Sequence, residues 1–176
     1  KGEHYVNILT PSIGVGGYCL TKDPWFLSAL ASSNEVEINL PKYGRKANDK
    51  MPMYVATKVD KFLREKFVNY SAAKIAILGY SFKSNSGDIR NTPMEFFVKA
   101  LFEFGYKNIH VYDPTISLES IDDERLSQEL SWEKCLGEAS CVVYGASHDE
   151  IKAIPVAKLA ELMKPDGLVY DGRRYF

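Results

Sequence analysis

The six residues KIAILG, Lys74 to Gly79, decide how this chain is read. An apolar, β-branched run closed by glycine and flanked by polar residues is the pattern of a strand buried on both faces, as in parallel sheets. A polar loop follows. Then Thr92-Pro93-Met94-Glu95 combines a capping Thr, a Pro at the first helical position and a Glu three residues after the cap. This predicts a helix from about Pro93 to Phe104, with Gly105 where a C-terminal stop is wanted. Phe96, Phe97, Ala100, Leu101 and Phe104 fall at helical spacing, so one face of that helix packs on a sheet.

Working outward, further strands are expected at Asn108 to Tyr112, closed by Asp113-Pro114, at Cys141 to Tyr144 and at Gly167 to Tyr170, with helices near Trp132 to Leu136 and Val156 to Met163. The stretch through Glu129 reads as a polar connection. Alternating strands and helices imply right-handed crossovers and an α/β fold with a Rossmann-like parallel sheet, whose ligand would sit at the carboxyl ends of the strands. From Asp23 to Phe67 the pattern is helical instead, punctuated by Pro41 and Pro52. No internal repeat or low-complexity tract interrupts either part.

Composition narrows the function. The 176 residues are 45% apolar and 26% charged, and 22 Lys and Arg against 23 Asp and Glu leave a formal net charge of −1. That balance lacks the basic footprint of binding to nucleic acid or to a membrane surface. The longest apolar runs are a few residues, against the ~20 that a membrane span needs. Cys19, Cys135 and Cys141 are sparse and odd in number, without CxxC or His spacing, so neither a disulfide framework nor a metal site is expected and a reducing, cytoplasmic setting fits best. His4, His110 and His148 are scattered and are given no role. The chain opens Lys1-Gly2-Glu3-His4 without an initiator Met or a charged-then-apolar leader, which reads as a piece of something longer.

Chemistry concentrates in two loops. Pro11 to Cys19, PSIGVGGYC, is a glycine-dense turn running into Leu20-Thr21-Lys22-Asp23-Pro24. In one reading Asp23 caps a helix that starts at Pro24, the glycines let a ligand approach the backbone, and Cys19, near a helix N-terminus and Lys22, is a nucleophile beside a carboxylate able to orient water. In the other the glycines make a tight turn and Cys19 is a small buried residue. It is not a dinucleotide fingerprint, because Cys19 stands where the third glycine of GxGxxG would fall. The loop after the first strand, Tyr80 to Asn91, lacks fingerprint glycines but carries Lys83 and Arg90, which suit a ligand already bearing a diphosphate, or else are solvated charges. Asp113 reads as a turn starter rather than a ribose ligand. Asp171-Gly172-Arg173-Arg174 follows the last strand and either presents a guanidinium at the same sheet edge or is a basic terminus.

Five segments taken together resemble the nucleotide-sugar 6-dehydrogenases, the UDP-glucose and GDP-mannose dehydrogenase family. They are GVGGYCLTKDPWFL at Gly14 to Leu27, AND at Ala47 to Asp49, KIAILGYSFKSNSGDIRNTP at Lys74 to Pro93, VYDP at Val111 to Pro114 and DGRR at Asp171 to Arg174, in the family's order over nearly the whole chain. The resemblance implies oxidation of a sugar C6 alcohol to the uronate with NAD, through a thiohemiacetal and a thioester on Cys19. It implies Asp23, with Lys22, in water activation, and Gly16, Gly17, Phe82 and Lys83 at the substrate. It further implies that Arg90 reaches toward the cofactor and that Arg173 is offered to substrate across a dimer interface. Residues 1–67 would then be the cysteine loop with a truncated central dimerisation segment, and residues 68–176 the domain holding the sugar nucleotide. The amino-terminal NAD-binding domain and the Lys and Asn that assist catalysis would lie outside this sequence.

Ser12, where the family commonly has Gly, and Tyr18, where it has Ser or His, depart from the pattern. DPWFL is nearer to members acting on N-acetylhexosamine nucleotides and the preceding KD to UDP-glucose enzymes, which leaves the sugar and the base, uracil or guanine, open. The alternatives from other classes are a non-catalytic nucleotide-sugar-binding or dimerisation module and a thiol redox sensor.

Overall fold

The computed structural model describes residues 12–118 and 120–176; His4 and Pro11 lie outside them. Two helices come first, α1 (Cys19–Ser33) and α2 (Leu40–Lys66). α2 carries Pro41 within its first turn, where a missing N–H costs nothing, and runs through Pro52 without breaking. It buries Pro52, Val55, Ala56, Val59 and Leu63, a stripe at helical spacing. Full burial of each Val or Leu contributes ~1.5–3 kcal/mol, and this stripe docks the helical segment onto the domain that follows.

That domain contains β1 (Ile75–Leu78), α3 (Pro93–Glu103), β2 (Ile109–Tyr112), β3 (Leu126–Gln128), α4 (Trp132–Leu136), β4 (Cys141–Tyr144), α5 (Asp149–Lys152), α6 (Val156–Leu162) and β5 (Leu168–Tyr170). All five strands are parallel, in the order β3-β2-β1-β4-β5, with Ile75 level with Ile109 on one side and Cys141 on the other. The chain is therefore α/β with a Rossmann-like sheet preceded by helices, as its sequence predicts. Alternation along the strands sends Ile75, Ile77, Ile109, Val111 and Val143 to the α2–α3 face, and Ala76, Leu78, Val142 and Tyr144 to the face covered by α4 and α6. α3 has the predicted ends. Thr92 Oγ1 accepts from Met94 N, and the N–H groups of Gly105 and Tyr106 close a Schellman turn onto Phe102 and Leu101.

Three local expectations are corrected. α1 begins at Cys19, not Pro24: Asp23 is not its cap, and Pro24 lies inside the helix. β3 occupies the stretch read as polar connection; only Leu126 of its three residues is buried, so it leaves no alternation to detect. The short α5 after β4 was likewise not expected. Among the described residues no helix is long and apolar enough to cross a membrane.

Candidate functional site

The strand order changes direction between β1 and β4, because the chain leaves β1 toward β2 and leaves β4 toward β5. At such a switch point the loops from the carboxyl ends of neighbouring strands part and leave a crevice. The two exits nearly touch below it. Gly79, at φ +87°, has Ala146 against its Cα, where a Cβ would come within 2.6 Å. Above this crossing lies a cleft of about 590 Å³ lined by Ser12 and Gly16 of the glycine loop, Phe82 and Lys83 after β1, Ser147 after β4 and Arg173 after β5. Four segments distant in sequence thus put two cations on one concavity. Lys83 is exposed, while Arg173 is half-buried with Nε donating to Gly145 O at 2.7 Å. Burial shifts the Arg173 guanidinium downward from its ordinary value. Arg173 is thus anchored within its own chain, on the same cleft as Lys83.

The loop bearing Phe82 and Lys83 is set by a buried polar network. Asp113 Oδ2 accepts from the backbone N–H groups of Tyr80 (2.8 Å) and Ser81 (2.9 Å), and Oδ1 accepts from Thr115 N and Oγ1. His148, 1% exposed, reaches the same place from the β4 exit. Its Nδ1 accepts from Asn85 N at 3.0 Å, so the ring proton is on Nε2, which faces Ser81 Oγ at 3.0 Å and Asp113 Oδ2 at 3.2 Å. Burial alone would push the Asp113 carboxyl up, but the hydrogen bonds from His148, Ser81 and Thr115 outweigh it and hold the group well below the usual carboxylate range. Asp113 does start a turn, through Oδ1; its other oxygen holds the site loop. His148, given no role from sequence, is therefore part of the site's foundation. The available signal was its position just past the end of a buried strand.

The glycine loop packs onto that same β1–α3 loop. Gly17 N donates to Arg90 O at 3.2 Å. A Cβ on Gly16 would meet Asn91 O at 2.5 Å, and one on Gly17, at φ +83°, would meet the Phe82 ring at 2.8 Å. These glycines allow close loop-on-loop packing at their Cα side, while Gly16 also lines the cleft. From the other side α2 clamps the loop. Asn48 Oδ1 accepts from Val15 N at 2.9 Å, and the buried Arg45 donates to Val15 O at 3.1 Å. Of this clamp the sequence reading noted only the triplet at Ala47 to Asp49 and missed Arg45. Burial of a charged residue has no sequence signal.

Cys19 is the first residue of α1 and is exposed, which removes the buried-residue reading. Lys22 and Asp23 lie three and four residues on, hence on the same side of the helix, and both are exposed. Arg90 stands 4.8 Å over the Tyr18 ring and pairs with Asp88 through Nε at 2.7 Å. The hydrogen bond from Arg90 lowers the Asp88 carboxyl to about 2. By contrast Cys135 and Cys141 are buried; burial pushes the Cys135 thiol up to about 12 and that of Cys141 higher still. NAD, the cofactor that the resemblance implies, does not fit the described residues. A Rossmann-type pyrophosphate would sit at the α3 N-terminus, but Thr92, Pro93 and Met94 there are buried and the loop at Gly14 and Gly16 packs directly on Pro93.

A cationic cleft over a parallel-sheet switch point, with an exposed thiol at the end of the loop that borders it, defines an α/β domain of the doubly wound, ligand-binding class. Residues 76–176 match the model of the UDP binding domain of the UDP-glucose/GDP-mannose dehydrogenase family, and residues 2–50 that of its central domain. The chain belongs to this family. It is 32% identical over 168 residues to a UDP-N-acetyl-D-mannosamine dehydrogenase of Pyrococcus horikoshii, which covers 96% of this chain and 37% of that protein. To a UDP-N-acetyl-D-glucosamine 6-dehydrogenase of Pseudomonas aeruginosa it is 27% identical over 157 residues, 89% of this chain and 37% of the other. The solved structure of a UDP-D-ManNAc dehydrogenase from Pyrococcus horikoshii superimposes with a TM-score of 0.81 at 30% identity, over 97% of this chain and 38% of that one. The chain thus spans little more than a third of the length of these relatives.

Two outcomes are expected. At limiting alkylating reagent, peptide mass mapping should find Cys19 labelled first, since Cys135 and Cys141 are both buried and held as thiols; prior labelling of either would contradict this. Asp113→Asn should lower stability at pH 7 by ~1.5–3 kcal/mol, the worth of a hydrogen bond to a charged group. Because the Asp113 carboxyl is held lower folded than unfolded, its contribution is complete above the unfolded range near ~4 and is lost as pH falls below it. Urea midpoints of the two proteins should therefore converge on acidification, and a constant gap down to pH 2 would refute the assignment.

Proposed function

We propose that this chain supplies the nucleotide-sugar grip and the cysteine nucleophile of a 6-dehydrogenase that converts the C6 alcohol of a nucleotide-linked hexose to the uronate. The observation that carries the reading is the convergence of Lys83 and Arg173 on one cleft bordered by the loop that ends at Cys19. In this reading Lys83, with Arg173, meets the diphosphate and sugar oxygens, and Phe82 flanks the nucleotide. UDP is the nucleotide favoured, and an N-acetylhexosamine the sugar, from the relatives described above.

The chemistry assigned to these residues is acyl transfer. Cys19 Sγ adds to the C6 aldehyde carbon and the thiol proton goes to the new hydroxyl, giving a thiohemiacetal. After oxidation of that carbon the thioester is attacked by water that Asp23 orients, with Lys22 beside it; the C–S bond breaks, the thiol is restored and the carboxylate leaves. Both oxidations need a hydride acceptor, NAD by family resemblance, held by a part of the protein beyond the described residues; Arg90, which lies over the Tyr18 ring beside the cysteine loop, is the residue the resemblance assigns to reach toward it.

The same reading makes the assembly a homodimer or larger. α1 has no buried residue and presents Leu20, Trp25, Phe26, Leu27 and Leu30, most of them more than half exposed. Large apolar side chains left exposed round so much of one helix support an interaction surface there.

Calorimetric titration with UDP- and GDP-sugars tests the grip. Lys83→Ala should weaken binding about ten-fold or more, as the loss of a ~1.5–3 kcal/mol charge-assisted bond requires. Cys19→Ala should leave that affinity within about two-fold while abolishing uronate formation by the full-length protein. Equal affinity of Lys83→Ala for every sugar tested, or uronate formed without Cys19, would sink the proposal.

A further inference from the structure

Pro24 creates a defect next to the reactive thiol. In an α-helix the N–H of residue 24 would bond the carbonyl of residue 20; Pro24 has no N–H, and a proline ring crowds that same carbonyl. The defect is filled from another helix. Arg45 Nη1 lies 3.3 Å from Leu20 O and 3.1 Å from Val15 O, while Nε donates to Asp49 Oδ1 at 2.8 Å. Arg45 is 8% exposed, although its partner Asp49 remains largely open to solvent. One buried guanidinium therefore pins the chain on both sides of Gly16, Gly17, Tyr18 and Cys19, at Val15 before them and Leu20 after them. A planar fork with several fixed donors can hold two carbonyls and a carboxylate at once; an ammonium on a flexible stem cannot do so with the same geometry.

We infer that Arg45 is a positioning residue for Cys19, fixing the turn that presents the thiol by replacing the helical hydrogen bond that Pro24 cannot donate. Its importance for turnover rests on the reading of Cys19 as nucleophile. Its hold on the loop does not.

A double-mutant cycle tests both in the full-length protein, using Arg45→Ala, Pro24→Ala, their combination and Arg45→Lys. Arg45→Ala should lower kcat by about ten-fold to a hundred-fold with KM within about two-fold, the size of loss that a misplaced reacting group produces. Pro24→Ala returns an N–H to Leu20 O, so the double variant should recover a measurable part of that loss, the Val15 contact staying lost, whereas Arg45→Lys should resemble Arg45→Ala. Hydrogen exchange of the amides at 16–22, read by mass spectrometry, should quicken in Arg45→Ala and slow again in the double variant. Equal damage in the single and double variants by both measures would overturn the inference, as would an unchanged exchange rate in Arg45→Ala. If exchange follows the cycle while Cys19→Ala still turns over, the positioning stands and the nucleophile reading fails.

Discussion

The carboxylate of Asp113 is the constraint on which the site depends. A parallel sheet ends in free backbone donors, and the β1–α3 connection must cross that edge without leaving any of them buried and unpaired. Asp113 Oδ2 takes the N–H groups of Tyr80 and Ser81, and His148 joins it from the β4 exit. A buried charge is tolerable only when it is so fully hydrogen-bonded, and the cost of losing any one partner makes the arrangement stiff. The loop carrying Phe82 and Lys83 is therefore held from below by side chains that follow two other strands, before any ligand is considered.

Rigidity then passes upward by packing. The glycine loop has no core of its own; it is trapped between the Phe82 ring and Asn91 backbone on one side and the α2 clamp of Arg45 and Asn48 on the other. Each contact works only because α2 is docked to the sheet domain through Val55, Ala56, Val59 and Leu63. The exposed thiol and the cationic cleft thus belong to one framework, although nearly sixty residues separate Cys19 from the start of β1. α1 is the exception. It touches the rest of the chain mainly through α2 and leaves large apolar side chains outside, so it is the element whose environment a further surface would complete.

Much of this was legible in the sequence, and it was legible where local physics dominates. Lys74 to Gly79 could only be a buried strand, and Thr92-Pro93 with Gly105 could only bracket a helix; these signals come from side chains acting on their own backbone. The motif residues Gly16, Phe82, Lys83 and Arg173 were named from the family resemblance, and the structure brings them to one cleft. What failed were inferences in which a local rule met a distant partner. Asp23-Pro24 is a good helix start in isolation, yet the helix begins at Cys19, with Arg45 bonded to the carbonyl that Pro24 leaves without a helical donor.

The sequence by itself determined the α/β class, the order of the main elements and the candidate residues, because periodicity, caps and glycine spacing are properties of neighbouring residues. Tertiary structure alone decided that Arg173 lines one cleft with Lys83, that Gly16 and Gly17 pack against Phe82 and Asn91, and that His148 and Arg45 support the site. Each of these depends on which groups meet across twenty-five residues or more. The energy of a buried hydrogen bond or a close backbone approach exists only once both partners are in place.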